Sequence, residues 1–123
     1  MKILLIEDIR LERKKIRHWL EQIGCEVIEA SNGVEGLELF NTSRPDLVIT
    51  DMVMPQKEGA ELMIELKNTF PDTKIFAISG AGRSIAGEYL PLAKGLGALR
   101  TFVKPIEKEA LLDAIQEFFP AGC

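Results

Sequence analysis

The sequence predicts an α/β fold, a doubly wound five-stranded parallel sheet in which strands and helices alternate as (βα)₅. Short apolar runs, several of them rich in β-branched residues, recur along the chain. Each precedes a segment with the apolar spacing of an amphipathic helix. The connections between these segments are short, and right-handed crossovers then join parallel strands and place helices on both faces of the sheet.

The clearest strand lies in the segment that begins at Pro45 and ends at Pro55. The run is apolar, contains several β-branched residues and is too short for a free helix, which is typical of a buried strand in a parallel sheet. Its C-terminal end carries Asp51. Ligands bind at this edge of open α/β sheets because strand ends and loops converge there. A carboxylate in that position therefore indicates a functional site.

The other elements follow from the same patterns. The predicted strands beside the central one cover residues 2–6, 25–29, 74–78 and 99–103. The predicted helices cover residues 9–23, 34–41, 60–69, about 88 to 95 or 97, and 107–119. A proline in a helix interior costs about 3 kcal/mol, so the fourth helix is expected to begin near Glu88 and to carry Pro91 in its first turn.

Each of the other predicted helices shows one apolar face. The side chains that form these faces are Ile9, Ile16, Leu20 and Ile23; Leu37 and Phe40; Leu62, Met63 and Leu66; and Leu111, Leu112, Ile115, Phe118 and Phe119. The opposite face of the first helix is basic and carries Arg10, Arg13, Lys14, Lys15 and Arg17. Such a face is more often a solvated surface than a docking site for an acidic or phosphorylated partner.

Length and composition limit the possible functions. A chain of 123 residues holds one domain, predicted to span 1–123 with no separate output domain. A net charge of −4 argues weakly against direct nucleic-acid binding. We expect no secretion signal, no membrane insertion and a cytoplasmic location, since no apolar run approaches the length of a signal or a span. Cys25 and Cys123 lack zinc-ligand spacing and are expected to be two reduced thiols.

Polar residues follow four of the predicted strands at the point where each strand ends. They are Glu7 and Asp8 after the first strand, Asp51 after the third, Ser79 after the fourth and Lys104 after the fifth. Three carboxylates at one edge repel one another, and burial adds to that cost. Mg²⁺ relieves both effects, because it takes a few carboxylates, keeps several waters and binds phosphate oxygens.

These residue types together suit acceptance of a phosphoryl group on Asp51. A carboxylate oxygen can attack phosphorus, while a metal ion and the Lys104 ammonium neutralise charge on the phosphoryl oxygens. The Ser79 hydroxyl can donate a hydrogen bond to one of those oxygens. The sequence therefore predicts a Mg²⁺-dependent phosphoacceptor site.

The same residues resemble a known family. Glu7-Asp8, Asp51 with Met54-Pro55 behind it, Ser79 and Lys104-Pro105, in this order, are similar to the receiver domain of two-component response regulators. The resemblance covers essentially the whole chain and implies a flavodoxin-like sheet with strand order 2-1-3-4-5. It implies phosphorylation of Asp51 by a sensor histidine kinase or a histidine phosphotransfer protein, and signalling to a protein output partner.

The resemblance also implies a role for each site residue. Asp8, Asp51 and the Val53 carbonyl would bind Mg²⁺ directly, and Glu7 would bind it through water. Lys104 would contact the phosphoryl group and precede a cis peptide bond to Pro105. Ser79 would move toward the phosphate on activation. Such a protein is a switch that catalyses only its own phosphorylation and dephosphorylation.

One position departs from the family pattern. The family usually has an aromatic switch residue three positions before the lysine, where this chain has Thr101. Phe102 lies one step later, and one step along a strand points to the opposite face of the sheet. Phe102 is therefore predicted to be a core residue.

Two other functions compete with a phosphorylated receiver. A hydrolase of the haloacid-dehalogenase type also forms an aspartyl phosphate, but it usually carries its nucleophile at the end of the first strand, with a second aspartate two residues on. In this chain, Glu7-Asp8-Ile9 ends the first strand, and Val53 lies two residues after Asp51. A degenerate receiver that acts as a phosphorylation-independent scaffold is the other alternative.

Overall fold

The computed structural model describes residues 1–53, 57–80 and 91–123, and they form one parallel sheet covered by helices on both faces. The strands are β1 (Lys2–Ile6), β2 (Glu26–Ala30), β3 (Leu47–Asp51), β4 (Ile75–Gly80) and β5 (Arg100–Lys104). The helices are α1 (Arg10–Gln22), α2 (Gly33–Ser43), α3 (Gly59–Thr69), α4, described over 91–95, and α5 (Lys108–Phe118).

The strands lie in the order β2-β1-β3-β4-β5, and every neighbouring pair is parallel. This confirms the predicted doubly wound fold and its strand order. Since all five strands run the same way, their carboxyl ends meet at one edge of the sheet. We call this edge the C-terminal edge.

The core is divided by the sheet because alternate residues of each strand face opposite sides. On β1, Ile3 and Leu5 join a cluster with α1 and α5, while Leu4 and Ile6 join a cluster with α2, α3 and α4. All four residues are fully buried. Burial on both faces explains why β1, β3 and β4 are largely continuous apolar runs rather than alternating ones.

The predicted elements are all present among the described residues, with boundaries that differ by a few positions. β4 and β5 extend further than predicted, because Ser79 pairs with Val103 and Gly80 with Lys104 in the register of the two strands. Ser79 and Lys104 are therefore held by the sheet itself. Asn32 caps α2 by accepting the Glu35 N–H at 2.8 Å, and this helix begins one residue earlier than predicted.

Phe102 packs in the core, as predicted from its register on β5. Its ring centroid lies 5.6 Å from that of Phe76, within the cluster formed with α1 and α5. Thr101 occupies the preceding position and faces the other side of the sheet.

The two cysteines differ from expectation. Cys25 and Cys123 are paired as a disulfide, with their Cα atoms 4.7 Å apart, so the prediction of two reduced thiols is wrong for this structure. After α5 the chain turns back at Gly122, whose φ is +73°, and this turn brings Cys123 to the start of β2. The pairing depends on a tertiary approach across 98 positions that sequence spacing does not encode.

Several predicted features lie outside the described residues. They are Met54, Pro55, most of the glycine-rich segment after β4 and the predicted helix start near Glu88. Across the described part of the chain, every helix is too short or too polar to cross a membrane.

Gly59 provides a test of how closely α3 packs against the end of β3. A Cβ at this position would lie 2.7 Å from the Met52 Cα and would also overlap the Asp51 carbonyl oxygen. Because both obstacles are backbone, Gly59→Ala is expected to reduce the free energy of unfolding by about 1–3 kcal/mol, measured by urea titration. Gly95→Ala is the matched control, since a Cβ there meets nothing within 4 Å, and it should be neutral or mildly stabilising. Equal effects of the two substitutions would contradict this packing.

Candidate functional site

Lys104 joins the strand ends at the C-terminal edge. Its Nζ donates to Asp51 Oδ2 at 2.7 Å and also forms a short ion pair with Glu7 Oε1. The three residues come from the ends of β5, β3 and β1, and the Lys104 side chain is only 15% exposed. One cation therefore contacts two buried carboxyl groups.

Asp51 is held through both of its carboxylate oxygens. Oδ1 accepts the backbone N–H of Val53 at 3.0 Å, and Oδ2 accepts Lys104. The Asp51 carbonyl oxygen accepts the buried Thr50 hydroxyl at 2.9 Å. Asp51 is 4% exposed, so its position is fixed by β3 and by the turn that follows it.

Glu7 and Asp8 continue directly from β1. The Glu7 N–H donates to the Ala30 carbonyl at the end of β2 at 3.0 Å, and the Glu7 side chain is fully buried. Asp8 is exposed. Glu7, Asp8 and Asp51 each offer a carboxylate oxygen, and these oxygens all lie within 4.8 Å of one another.

Two buried polar atoms at this edge lack a hydrogen-bond partner among the described residues. They are Oε2 of Glu7 and Oγ of Ser79. Buried polar atoms are almost always hydrogen-bonded, so such atoms indicate a place where an ion, a water or a bound group belongs. Together with three convergent carboxylates, the unpaired Glu7 oxygen fits the ligand preference of Mg²⁺.

The pKa values of Glu7 and Lys104 are shifted from their ordinary values. Burial, with a further contribution from the neighbouring Asp51, raises the pKa of Glu7 to about 8, although Lys104 acts in the opposite direction. Burial also acts to lower the pKa of Lys104, but its bonds to Asp51 and Glu7 outweigh burial and raise it. Lys104 is therefore a fixed cation, while Glu7 is held near the boundary between its acid and its carboxylate.

The structure brings together four of the residues that the sequence singled out: Glu7, Asp8, Asp51 and Lys104. Ser79 lies on the same edge, one residue beyond Ile78, which pairs with Asp51. Val53, two residues after Asp51, is 45% exposed. The peptide bond between Lys104 and Pro105 is cis. The chemical roles assigned to these residues remain predictions.

Sequence reasoning did not find two contacts. The ion pair of Lys104 with Glu7 depends on side-chain reach across the sheet. The Arg13 Nη1 also donates to the Glu7 carbonyl at 2.8 Å, whereas the sequence placed Arg13 on a solvated face. Arg13 lies in the first turn of α1, a position that does not by itself indicate this bond.

Comparison with known families gives a match over residues 3–116 to the response regulator receiver domain. The chain belongs to this family. The receiver domain is 33% identical over 119 residues to the chemotaxis protein CheY of Halobacterium salinarum, covering 97% of both chains. It is 28% identical over 119 residues to the sporulation initiation phosphotransferase F of Bacillus subtilis, covering 97% of this chain and 94% of that protein.

A solved receiver domain has the same architecture. The response regulator receiver domain protein of Clostridium thermocellum superposes with a TM-score of 0.88 and 33% identity, covering 98% of this chain and 94% of the other. The flavodoxin-like fold and the place of this receiver domain in two-component signalling follow from these similarities.

The raised pKa of the buried Glu7 leads to a prediction of how the stability of this receiver domain depends on pH. Its pKa is about 8 when folded and near 4.5 when unfolded, so its contribution to stability is complete below pH 4.5 and is lost as pH rises through about 8. In a chelating buffer, the free energy of unfolding should therefore fall more steeply between these pH values in the wild type than in Glu7→Gln. Chemical denaturation at a series of pH values measures the difference. Parallel pH profiles for the two proteins would refute the assigned protonation.

Proposed function

We propose that this receiver domain accepts a phosphoryl group on Asp51 from a phosphohistidine and signals through a phosphorylation-dependent protein–protein interaction. The phosphohistidine belongs to a sensor histidine kinase or a histidine phosphotransfer protein. The observation that supports this most is the simultaneous contact of Lys104 with Asp51 and Glu7. The Lys104 side chain is long, and its ammonium group lies beside the buried Asp51 carboxylate. It is therefore suited to contact the negatively charged oxygens of a phosphoryl group attached to Asp51.

In this proposal Asp8, Asp51 and the Val53 carbonyl hold Mg²⁺, with Glu7 acting through water. The support is the convergence of the three carboxylates and the unpaired Glu7 oxygen. When bound, Mg²⁺ neutralises charge on the phosphoryl oxygens. Because that metal would compete with Lys104 for the same carboxylates, we expect Lys104 to shift from the carboxylates toward the incoming phosphoryl group.

The chain's own residues account for the transfer. An Asp51 carboxylate oxygen attacks phosphorus, an O–P bond forms, and the N–P bond to the donor imidazole breaks. The leaving imidazole nitrogen takes up a proton. The Ser79 hydroxyl, which lacks a partner among the described residues, donates to a phosphoryl oxygen. Water later hydrolyses the acyl phosphate, so the protein is a switch that processes only its own modification.

The relatives support this assignment of partners. One is named a chemotaxis protein and another a phosphotransferase of sporulation initiation, which are signalling proteins by name. We propose the same general setting for this chain: a cytoplasmic receiver domain with a kinase or phosphotransfer protein on one side and a protein output partner on the other.

The two alternatives are less well supported. The family match over residues 3–116 favours a receiver over a haloacid-dehalogenase-type hydrolase. A scaffold that ignores phosphorylation would have no need to keep Lys104 paired with two buried carboxylates, which are costly to desolvate.

Phosphorylation with acetyl phosphate tests the proposal. Intact-mass spectrometry should detect the gain of one phosphoryl group in the presence of Mg²⁺ and none in a chelating buffer. Asp51→Asn should abolish the gain because the amide oxygen is a poor nucleophile. Asp72→Asn, at an exposed turn, is the matched control and should leave the gain unchanged. A phosphoryl group that persists in Asp51→Asn would show that another residue is the acceptor.

A further inference from the structure

Arg13 hydrogen-bonds the backbone on both sides of Asp8. Its backbone N–H donates to the Ile9 carbonyl at 2.9 Å, and its side-chain Nη1 donates to the Glu7 carbonyl at 2.8 Å. These two carbonyls belong to the residues on either side of Asp8. A single residue of α1 therefore fixes the backbone before and after Asp8, the least buried member of the acidic cluster.

The Arg13 guanidinium is itself anchored to β2. Its Nε donates to Glu29 Oε1 at 2.8 Å, and the side chains of the two residues are 14% and 12% exposed. Glu29 directly precedes Ala30, whose carbonyl accepts the Glu7 N–H. Glu7 is thus held to the end of β2 on both sides: its N–H by the backbone, and its carbonyl through Arg13.

Glu29 is a well-compensated anion. Burial acts to raise the pKa of its carboxyl, but hydrogen bonds from Lys14, Arg17 and Arg13 outweigh burial and hold it at about 2. Glu29 therefore stays charged over the whole physiological range and keeps its hold on Arg13. Lys14 and Arg17 bind the other oxygen of the same carboxylate, whereas Arg13 also hydrogen-bonds the Glu7 carbonyl.

We propose that Arg13, anchored by Glu29, is a positioning residue that orients Glu7 and Asp8 for Mg²⁺. This inference rests on the proposed function, because it assigns a purpose to the geometry of the same acidic cluster. Arg13 touches neither the metal ligand atoms nor the phosphoryl group in this account. It acts by restricting the backbone that presents the two carboxylates.

Arginine suits this task better than lysine. Its planar fork can donate to Glu29 through Nε and to the Glu7 carbonyl through Nη1 at the same time. A lysine can pair with Glu29 as a point charge but cannot reproduce both bonds in fixed directions. Arg13→Lys therefore separates the positioning role from simple charge compensation of Glu29.

The test is the Mg²⁺ dissociation constant, measured by isothermal titration calorimetry on the full chain without phosphodonor. Arg13→Lys and Arg13→Met should each weaken Mg²⁺ binding by about tenfold, the lower end of what groups that orient metal ligands contribute. Arg17→Met is the matched control, since it also removes a cation from Glu29, and it should bind Mg²⁺ like the wild type. Urea unfolding in a chelating buffer should show that Arg13→Lys keeps most of the wild-type stability.

The outcomes separate the two proposals. Wild-type affinity in Arg13→Lys, or an equal loss in Arg17→Met, would overturn the positioning role while leaving the phosphoacceptor function intact. A wild-type protein that binds no Mg²⁺ but is still phosphorylated on Asp51 would overturn the positioning role and the metal requirement. If Arg13→Met fails to fold, the comparison of Arg13→Lys with Arg17→Met decides the question.

Discussion

The structure depends on one electrostatic constraint: carboxyl groups that follow β1 and end β3 are buried at the same edge of the sheet, and a single ammonium group from β5 contacts both. Glu7 is fully buried and Asp51 nearly so, and both contact Lys104. Removing one partner from such a cluster leaves an uncompensated buried charge, which is costly. Three carboxyl groups face one ammonium group at this edge, so a divalent cation is suited to it, and that cation would in turn balance the charge of an incoming phosphoryl group.

The strand order makes this contact possible. Adjacent strands lie about 4.8 Å apart, and β4 lies between β5 and β3, so a side chain on β5 must reach over the end of β4 to meet Asp51. Lysine is long enough for that distance. The residue of β4 paired with Lys104 is Gly80, which has no side chain to obstruct the path. The small residues Ser79 and Gly80 thus leave room for the Lys104 side chain to cross the end of β4.

Much of the fold and the site could be predicted from the sequence because both follow from periodicity and strand direction. Asp51 ends an apolar run and Lys104 follows the fifth predicted strand, and parallel strands bring such ends to one edge. What could not be predicted depends on side-chain reach or on long-range approach. The bond from Arg13 to the Glu7 carbonyl and the pairing of Cys25 with Cys123 are of this kind, since sequence spacing carries no information about either.

The most direct test of this account is a double-mutant cycle between Lys104 and Asp51. The free energy of unfolding is measured in a chelating buffer for the wild type, Lys104→Met, Asp51→Asn and the double variant. The account predicts a coupling energy of about 1–3 kcal/mol, because each substitution removes the partner of the other. Additive effects, within about 0.5 kcal/mol, would show that Lys104 does not compensate Asp51 and would contradict the central claim.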